Sequence, residues 1–98
     1  MLVRIVKLTF KKENIASFET IFEKNKNKIR QAEGCCFLEL LQHQEDKNIF
    51  FTYSYWNSKA DLERYRSSDF FKNLWKETKN LFDDKPEAWS LIKKETMK

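Results

Sequence analysis

Ile49-Phe50-Phe51-Thr52-Tyr53-Ser54-Tyr55-Trp56 runs straight into Asn57-Ser58-Lys59-Ala60-Asp61-Leu62, an aromatic strand that passes at once into a capped helix. Side chains alternate between the two faces of a strand. One face of this segment therefore carries Ile49, Phe51, Tyr53 and Tyr55, and the other carries Phe50 and Trp56. A strand at the surface of a small monomer alternates apolar with polar residues, and this one is apolar on both sides. The pattern predicts a sheet with helices on one face and a second protein chain on the other.

Working outward, Leu2 to Phe10 alternates as Val3, Ile5, Lys7, Thr9 against Arg4, Val6, Leu8, Phe10, which reads as a first strand. Asn14 stands where a cap would open a helix. Ile15, Phe18, Phe22, Ile29 and Ala32 then recur at helical spacing as far as Gly34, the only glycine, where the helix is expected to stop. A second strand follows from Cys35 to about Gln44, with Cys36, Leu38 and Leu40 on one face and Phe37 and Leu41 on the other. The polar turn Glu45-Asp46-Lys47-Asn48 would fold it back on the Trp56 strand as an antiparallel hairpin.

Ser58 with Asp61 three residues on has the form of a capping box, and Ser68 or Asp69 starts another helix with Phe71, Leu74, Trp75, Thr78, Leu81 and Phe82 along one side. Asp83-Asp84-Lys85-Pro86 ends that helix, and Ala88 to about Lys94 forms the last strand, with Trp89 and Leu91 opposite Ile92. The order strand, helix, strand, strand, helices, strand is the ferredoxin-like split βαβ plan. It predicts an α+β fold with a four-stranded antiparallel sheet and helices on one face.

Ninety-eight residues form one domain, since half of that length could not bury a stable core. A composition 41% hydrophobic and 35% charged belongs to a globular rather than a disordered chain. The net charge of +4 comes mostly from Lys interleaved with Glu and Asp, the pattern of solvated helix faces, and no basic-aromatic motif accompanies it, so nucleic acid is not expected as a partner. The start, Met1-Leu2-Val3-Arg4-Ile5-Val6-Lys7, lacks the apolar core and small-residue cleavage site of a signal peptide, and no run reaches the length of a membrane span. A cytoplasmic location and no membrane partner are the expectations.

Cys35 and Cys36 are adjacent and point to opposite faces of a strand, so they do not form an ordinary disulfide with each other. With one His and no second Cys cluster there is no metal-ligand spacing. His43, the one imidazole, would be the natural base near neutral pH, but its place beside the polar turn fits an exposed strand end. No carboxylate pair, activated serine or glycine-rich phosphate loop competes with the aromatic residues as a site.

The passage Trp56-x-Ser58-x-x-x-Leu62 leaving the third strand, with Ser68-Asp69-Phe70-Phe71 at the start of a later helix, resembles the antibiotic biosynthesis monooxygenase family over roughly Leu2 to Lys94. The resemblance implies a single domain over 1–98, a dimeric α+β barrel made by the free faces of two sheets, and a pocket between sheet and helices. Members include enzymes that oxygenate phenols to quinones without metal or flavin, and enzymes that degrade heme. The heme branch looks similar through Trp56-x-Ser58-Lys59 and Ser68-Asp69-x-Phe71-Lys72. Its axial His, however, aligns with Trp75, its pocket Trp with Tyr65 and its first-strand Asn with Arg4. An indole cannot ligate iron, so heme degradation is not expected. In the quinone-forming branch an Asn that polarises the phenol stands at Thr52, while the strand-ending Trp is kept as Trp56.

What the resemblance implies is a cofactor-independent monooxygenase that oxidises a small phenol- or quinol-like compound with O2. Trp56 and Thr52 are its candidate catalytic residues, Tyr53, Tyr65, Phe71 and Trp75 would contact the substrate, and neither cofactor nor metal is called for. Each of these aromatics also fits ordinary core packing. The alternative is a non-catalytic homodimeric module that binds a small hydrophobic ligand, and a third reading is a sheet that serves only as an interaction surface.

Overall fold

Period-two alternation in the two central strands sets the architecture. In the computed structural model, which describes residues 1–98, β1 (Leu2–Thr9), β2 (Cys35–Gln42), β3 (Ile49–Trp56) and β4 (Glu87–Ile92) form one sheet in the order β2-β3-β1-β4. All three pairings are antiparallel. The helices α1 (Ile15–Arg30), α2 (Lys59–Arg66) and α3 (Asp69–Thr78) supply the second layer, and the topology is the ferredoxin-like one the order of elements predicts. No helix is long and apolar enough to cross a membrane.

Register assigns the faces. Arg4, Val6 and Leu8 of β1 lie beside Ser54, Thr52 and Phe50 of β3, and this set faces the helices. Val3, Ile5 and Lys7 lie beside Tyr55, Tyr53 and Phe51 on the other face. The helix-covered side holds two buried clusters. Leu8, Phe10, Phe18 and Phe50 make one, joined by Phe22, Trp75 and Phe82. Cys35, Trp56 and Leu62 make the other, joined by Leu2, Ala32 and Tyr65. The first is a stack of rings, with Phe10 4.2 Å from Phe18 and 5.2 Å from Phe82 between centroids.

The caps divide into two that follow the sequence and one that does not. Ser58 Oγ accepts from Asp61 N at 3.2 Å and donates to Asp61 Oδ2 at 2.9 Å, and Ser68 Oγ accepts from Phe71 N at 3.1 Å. These bonds satisfy amides that the first helical turn leaves open. Asn14 holds the N-cap position of α1 without a capping bond. Its Nδ2 instead donates to Leu81 O at 3.3 Å, tying the start of α1 to the end of the α3 segment, and a short 3-10 turn over Lys12–Asn14 leads into the helix.

Three boundaries differ from those read in the sequence. The first helix stops at Arg30 rather than at Gly34, and Gly34, at φ +85°, turns the chain into β2. The second strand ends at Gln42 because His43 closes the hairpin, its N–H donating to Ile49 O and its Nδ1 accepting from Glu45 N and Asp46 N. The ring is half-buried rather than exposed, so His43 is a turn-forming residue. The last strand spans Glu87–Ile92 instead of continuing to Lys94.

A fourth difference lies inside β2, where the register shifts between Cys35 and Phe37. This bulge takes Cys36 out of the expected row with Leu38 and Leu40. Cys35 becomes the buried residue beneath Trp56, and Cys36 Sγ donates to Asn57 Oδ1 at 2.9 Å at the end of the sheet. Neither cysteine is in a disulfide.

Gly34 is required both by its backbone and by its neighbour. Its positive φ suits glycine, and a Cβ there would collide with the side chain of Asp61 in the α2 cap. Gly34→Ala is expected to destabilise the fold by about 1–3 kcal/mol, to be read as a lower urea midpoint at unchanged slope. Wild-type stability in this variant would show that the α2 start gives way freely.

Candidate functional site: an apolar cavity between sheet and helices

Between the two buried clusters the helix layer leaves a cavity of about 430 Å³. Fourteen of its twenty lining residues are hydrophobic, a size and character suited to a small, mostly apolar ligand. Buried Leu8, Phe18, Trp56 and Leu62 form its depth, and exposed Arg66 and Ala88 lie at its rim. Each element contributes through its own period. α3 supplies Phe71, Leu74, Trp75 and Thr78 from one helical face, and β3 supplies Thr52, Ser54 and Trp56 from alternate positions. β4 is exposed along its whole length, so the helix layer stops short of it, and Ala88 with Pro86 borders the cavity there.

Five of the six candidate residues named from the sequence meet in this space: Trp56, Thr52, Tyr65, Phe71 and Trp75. The aromatic ones touch in series. Trp56 and Tyr65 lie 5.1 Å apart between centroids, Tyr65 and Phe71 5.1 Å edge to face, and Phe71 and Trp75 6.1 Å with nearly parallel planes. Tyr53 is the exception and a correction. One residue along from Thr52, it points to the opposite face of the sheet, where it contacts Phe37 and Tyr55. It therefore cannot line this chain's cavity.

Trp56 is 1% exposed, and its Nε1 donates to Ser54 Oγ at 3.0 Å. The indole N–H is thus already engaged, and what it can present inward is ring surface. Tyr65 differs. Burial, and secondarily the nearby Cys35 thiol, push its phenol well above the ordinary tyrosine range, so it stays protonated near neutral pH and can only donate or accept a hydrogen bond. Burial raises the Cys35 thiol as well, against weaker opposing effects of the Phe37 backbone and of Arg30, which leaves a neutral, inert side chain.

The polar lining comes from Arg4, Thr52 and Ser54 of the sheet and Arg66 and Thr78 of the helices. Arg4 lies directly between Ser54 on β3 and Ser90 on β4, and its Nη1 donates to Ser90 Oγ at 2.9 Å. Burial, and then the neighbouring Arg66, lower the Arg4 pKa, yet a guanidinium remains charged. Arg66 comes from the last turn of α2, where a cation suits the helix dipole. Its neighbour Arg64 is bound to Asp61 and Glu33 away from the cavity. Sequence reasoning missed Arg66 altogether and met Arg4 only as a departure from a heme-binding pattern. The available signal was Arg4 itself, a charge on the covered face of a central strand. No three His, Cys, Asp or Glu side chains come together anywhere in the chain.

Fold and site together define the class: an α+β protein of ferredoxin-like plan with an apolar, aromatic-lined cavity between sheet and helices. Residues 1–77 match the family described as antibiotic biosynthesis monooxygenase, and the chain belongs to that family. No curated protein matches it. Among solved structures it is similar to an antibiotic biosynthesis monooxygenase at 20% identity and a TM-score of 0.89, covering 95% of this chain and 98% of that one. It is equally similar to a conserved protein of Methanosarcina mazei Go1, at 23% identity and a TM-score of 0.89, covering 96% and 94%. A third, from Pseudomonas aeruginosa, shares 21% identity at a TM-score of 0.83 over 94% and 92%. At these identities the likeness is one of fold.

Proposed function

We propose that the cavity binds a small electron-rich phenol or quinol and that the protein promotes its oxidation by O2 to a quinone without a bound cofactor. The observation that carries this reading is the aromatic series Trp56, Tyr65, Phe71 and Trp75 around a space of about 430 Å³, in a chain of the monooxygenase family. In such a reaction the substrate is the electron source. The substrate gives its phenolic proton to solvent and an electron to O2, the two radicals combine at a ring carbon, and loss of water, which takes a proton back, leaves the quinone. One oxygen atom stays on the ring and the other departs as water. The protein's part is orientation and the stabilisation of anionic and radical forms. Trp56 provides the wall at the deep end, and the Thr52 hydroxyl is the hydrogen-bond donor to the reacting ring oxygen.

Oxygen uptake with a dihydroxynaphthalene, in chelator and without added flavin, should exceed the buffer rate. Trp56→Phe should lower it about tenfold, within the range orientation effects reach, while leaving the folded state intact. A full rate in Trp56→Phe, or no consumption above background by the wild type, would favour a second reading: a non-catalytic homodimeric module that holds a small hydrophobic ligand. One feature favours that alternative, namely the near-complete burial of Trp56 with its N–H engaged by Ser54, which is also how a core tryptophan sits.

The same reading includes a second copy of the chain. The sheet face away from the helices presents Phe37, Phe51, Tyr53 and Tyr55 as a half-buried patch, continuous with Leu41, Trp89 and Leu91, which are 44%, 43% and 46% exposed. Large aromatics in one contiguous patch mark an interaction surface, and only ten of 98 residues are buried in the chain alone. We take the occupant to be the same face of another copy, which would place two sheets face to face.

A further inference from the structure

The two guanidiniums in the cavity have no counter-charge. None of the twenty lining residues is Asp or Glu, and Arg4 and Arg66 are the only charged side chains among them. The ion pairs of the chain, Lys26–Glu23, Arg64–Glu33 and Arg64–Asp61, involve neither. Arg4 is held on the covered sheet face by one bond to Ser90, which leaves most of its five N–H donors unspent. Arg66 lines the same cavity from the helix layer, and its charge lowers the Arg4 pKa. Two like charges at the mouth of an apolar cavity repel each other, an anion between them relieves that repulsion, and the guanidinium fork matches the planar oxygens of a carboxylate.

We infer that the ligand of this cavity is an aromatic carboxylate, its ring held among Tyr65, Phe71 and Trp75 and its acid group placed between Arg4 and Arg66 beside Ser90. The absence of a base in the lining favours a ligand already ionised in water, as a carboxylate is. The cavity holds no His, Lys, Asp or Glu, and Tyr65 stays protonated, so no side chain there takes a proton near neutral pH. A ligand must bring its charge with it, which a carboxylic acid does and a simple phenol does not. The inference rests on this cavity being the ligand site, as in the proposed function, but not on oxidation. If both hold, the substrate is a hydroxylated aromatic acid.

Calorimetric titration with 2-naphthoate and with its neutral isostere 2-naphthamide tests it, since neither probe is a quinol. Naphthoate should bind about tenfold or more tightly than the amide, in line with charge-assisted bidentate bonds, and the preference should weaken as salt is raised. Arg66→Gln and Arg4→Gln should each reduce the preference severalfold. Arg64→Gln, outside the cavity, should keep it. Melting curves would confirm that the variants are folded, and exposed Arg66 provides the variant least exposed to a folding defect. Equal affinity for the two probes, binding of neither at millimolar concentration, an undiminished preference in Arg66→Gln, or inorganic phosphate binding as tightly as naphthoate would overturn the inference. Naphthoate binding without oxygen uptake on any phenol would leave it standing and remove the oxygenase reading alone.

Discussion

Replacing Phe10 by Ala is expected to lower the unfolding free energy by about 3–5 kcal/mol, the range for emptying a buried aromatic site. Phe10 is 0% exposed and stacks on Phe18 and Phe82, with Phe50 edge-on at 5.9 Å. It lies just past the end of β1, where its backbone also bonds to Asn48 in both directions, N–H to Asn48 O at 2.9 Å and O from Asn48 Nδ2 at 2.9 Å. A bridge to Phe82 joins it to the segment after α3. One side chain therefore links β1, α1, β3 and the chain leading to β4. Its loss opens a void that rigid neighbouring rings cannot close. Since small domains are stable by only about 5–15 kcal/mol, the variant should unfold at a far lower urea concentration or fail to accumulate. A midpoint within a few tenths molar of wild type would mean that the ring cluster repacks, contrary to this account.

Tyr53→Glu is expected to convert a dimer into a monomer. Tyr53 sits at the centre of the open face, between Ile5 and Glu39 across the sheet, with Phe37 and Tyr55 against its ring. In a face-to-face pair a carboxylate there would be buried in an apolar interface next to Glu39 of its own chain, with Lys93, which lies over the Tyr55 ring, offsetting only part of a cost of several kcal/mol per copy. An interface made from a sheet face of this kind typically removes well over about 1,000 Å² from water, so the wild type should run by light scattering at twice the mass of one chain at micromolar concentration. The substitution should leave circular dichroism largely unchanged, because the side chain contributes nothing to the helix-covered core. A wild-type mass of one chain would sink the second-copy reading, and a dimeric Tyr53→Glu protein would move the interface to another surface.

The candidate site was legible in part. Thr52, Trp56, Tyr65, Phe71 and Trp75 could be gathered from the resemblance and from helical and strand spacing, and all five line one cavity. Tyr53 was grouped with them although alternation had already set it with Phe51 and Tyr55, on the face away from Trp56. The period of the strand was the better guide. Arg66 could not be found in this way. On α2 it looks like a solvated residue of the last turn beside Arg64; helical spacing sets it on the face of Leu62 and Arg64 on another, but only the packing of α2 on the sheet brings that face to the cavity that Arg4 lines.

By itself the sequence determined the order of elements, the two-sided apolar sheet and the caps at Ser58 and Ser68, because each depends on neighbours a few residues away and on fixed periods of two and 3.6. The tertiary structure alone decided the bulge that exchanges Cys36 for Cys35 beneath Trp56, the bond that draws Asn14 from its cap to Leu81, and the cavity itself. It also brought together two arginines sixty-two positions apart (66 − 4). Those outcomes depend on where helices come to rest across a sheet, which is set by the packing of side chains distant in the chain and leaves no local period to read.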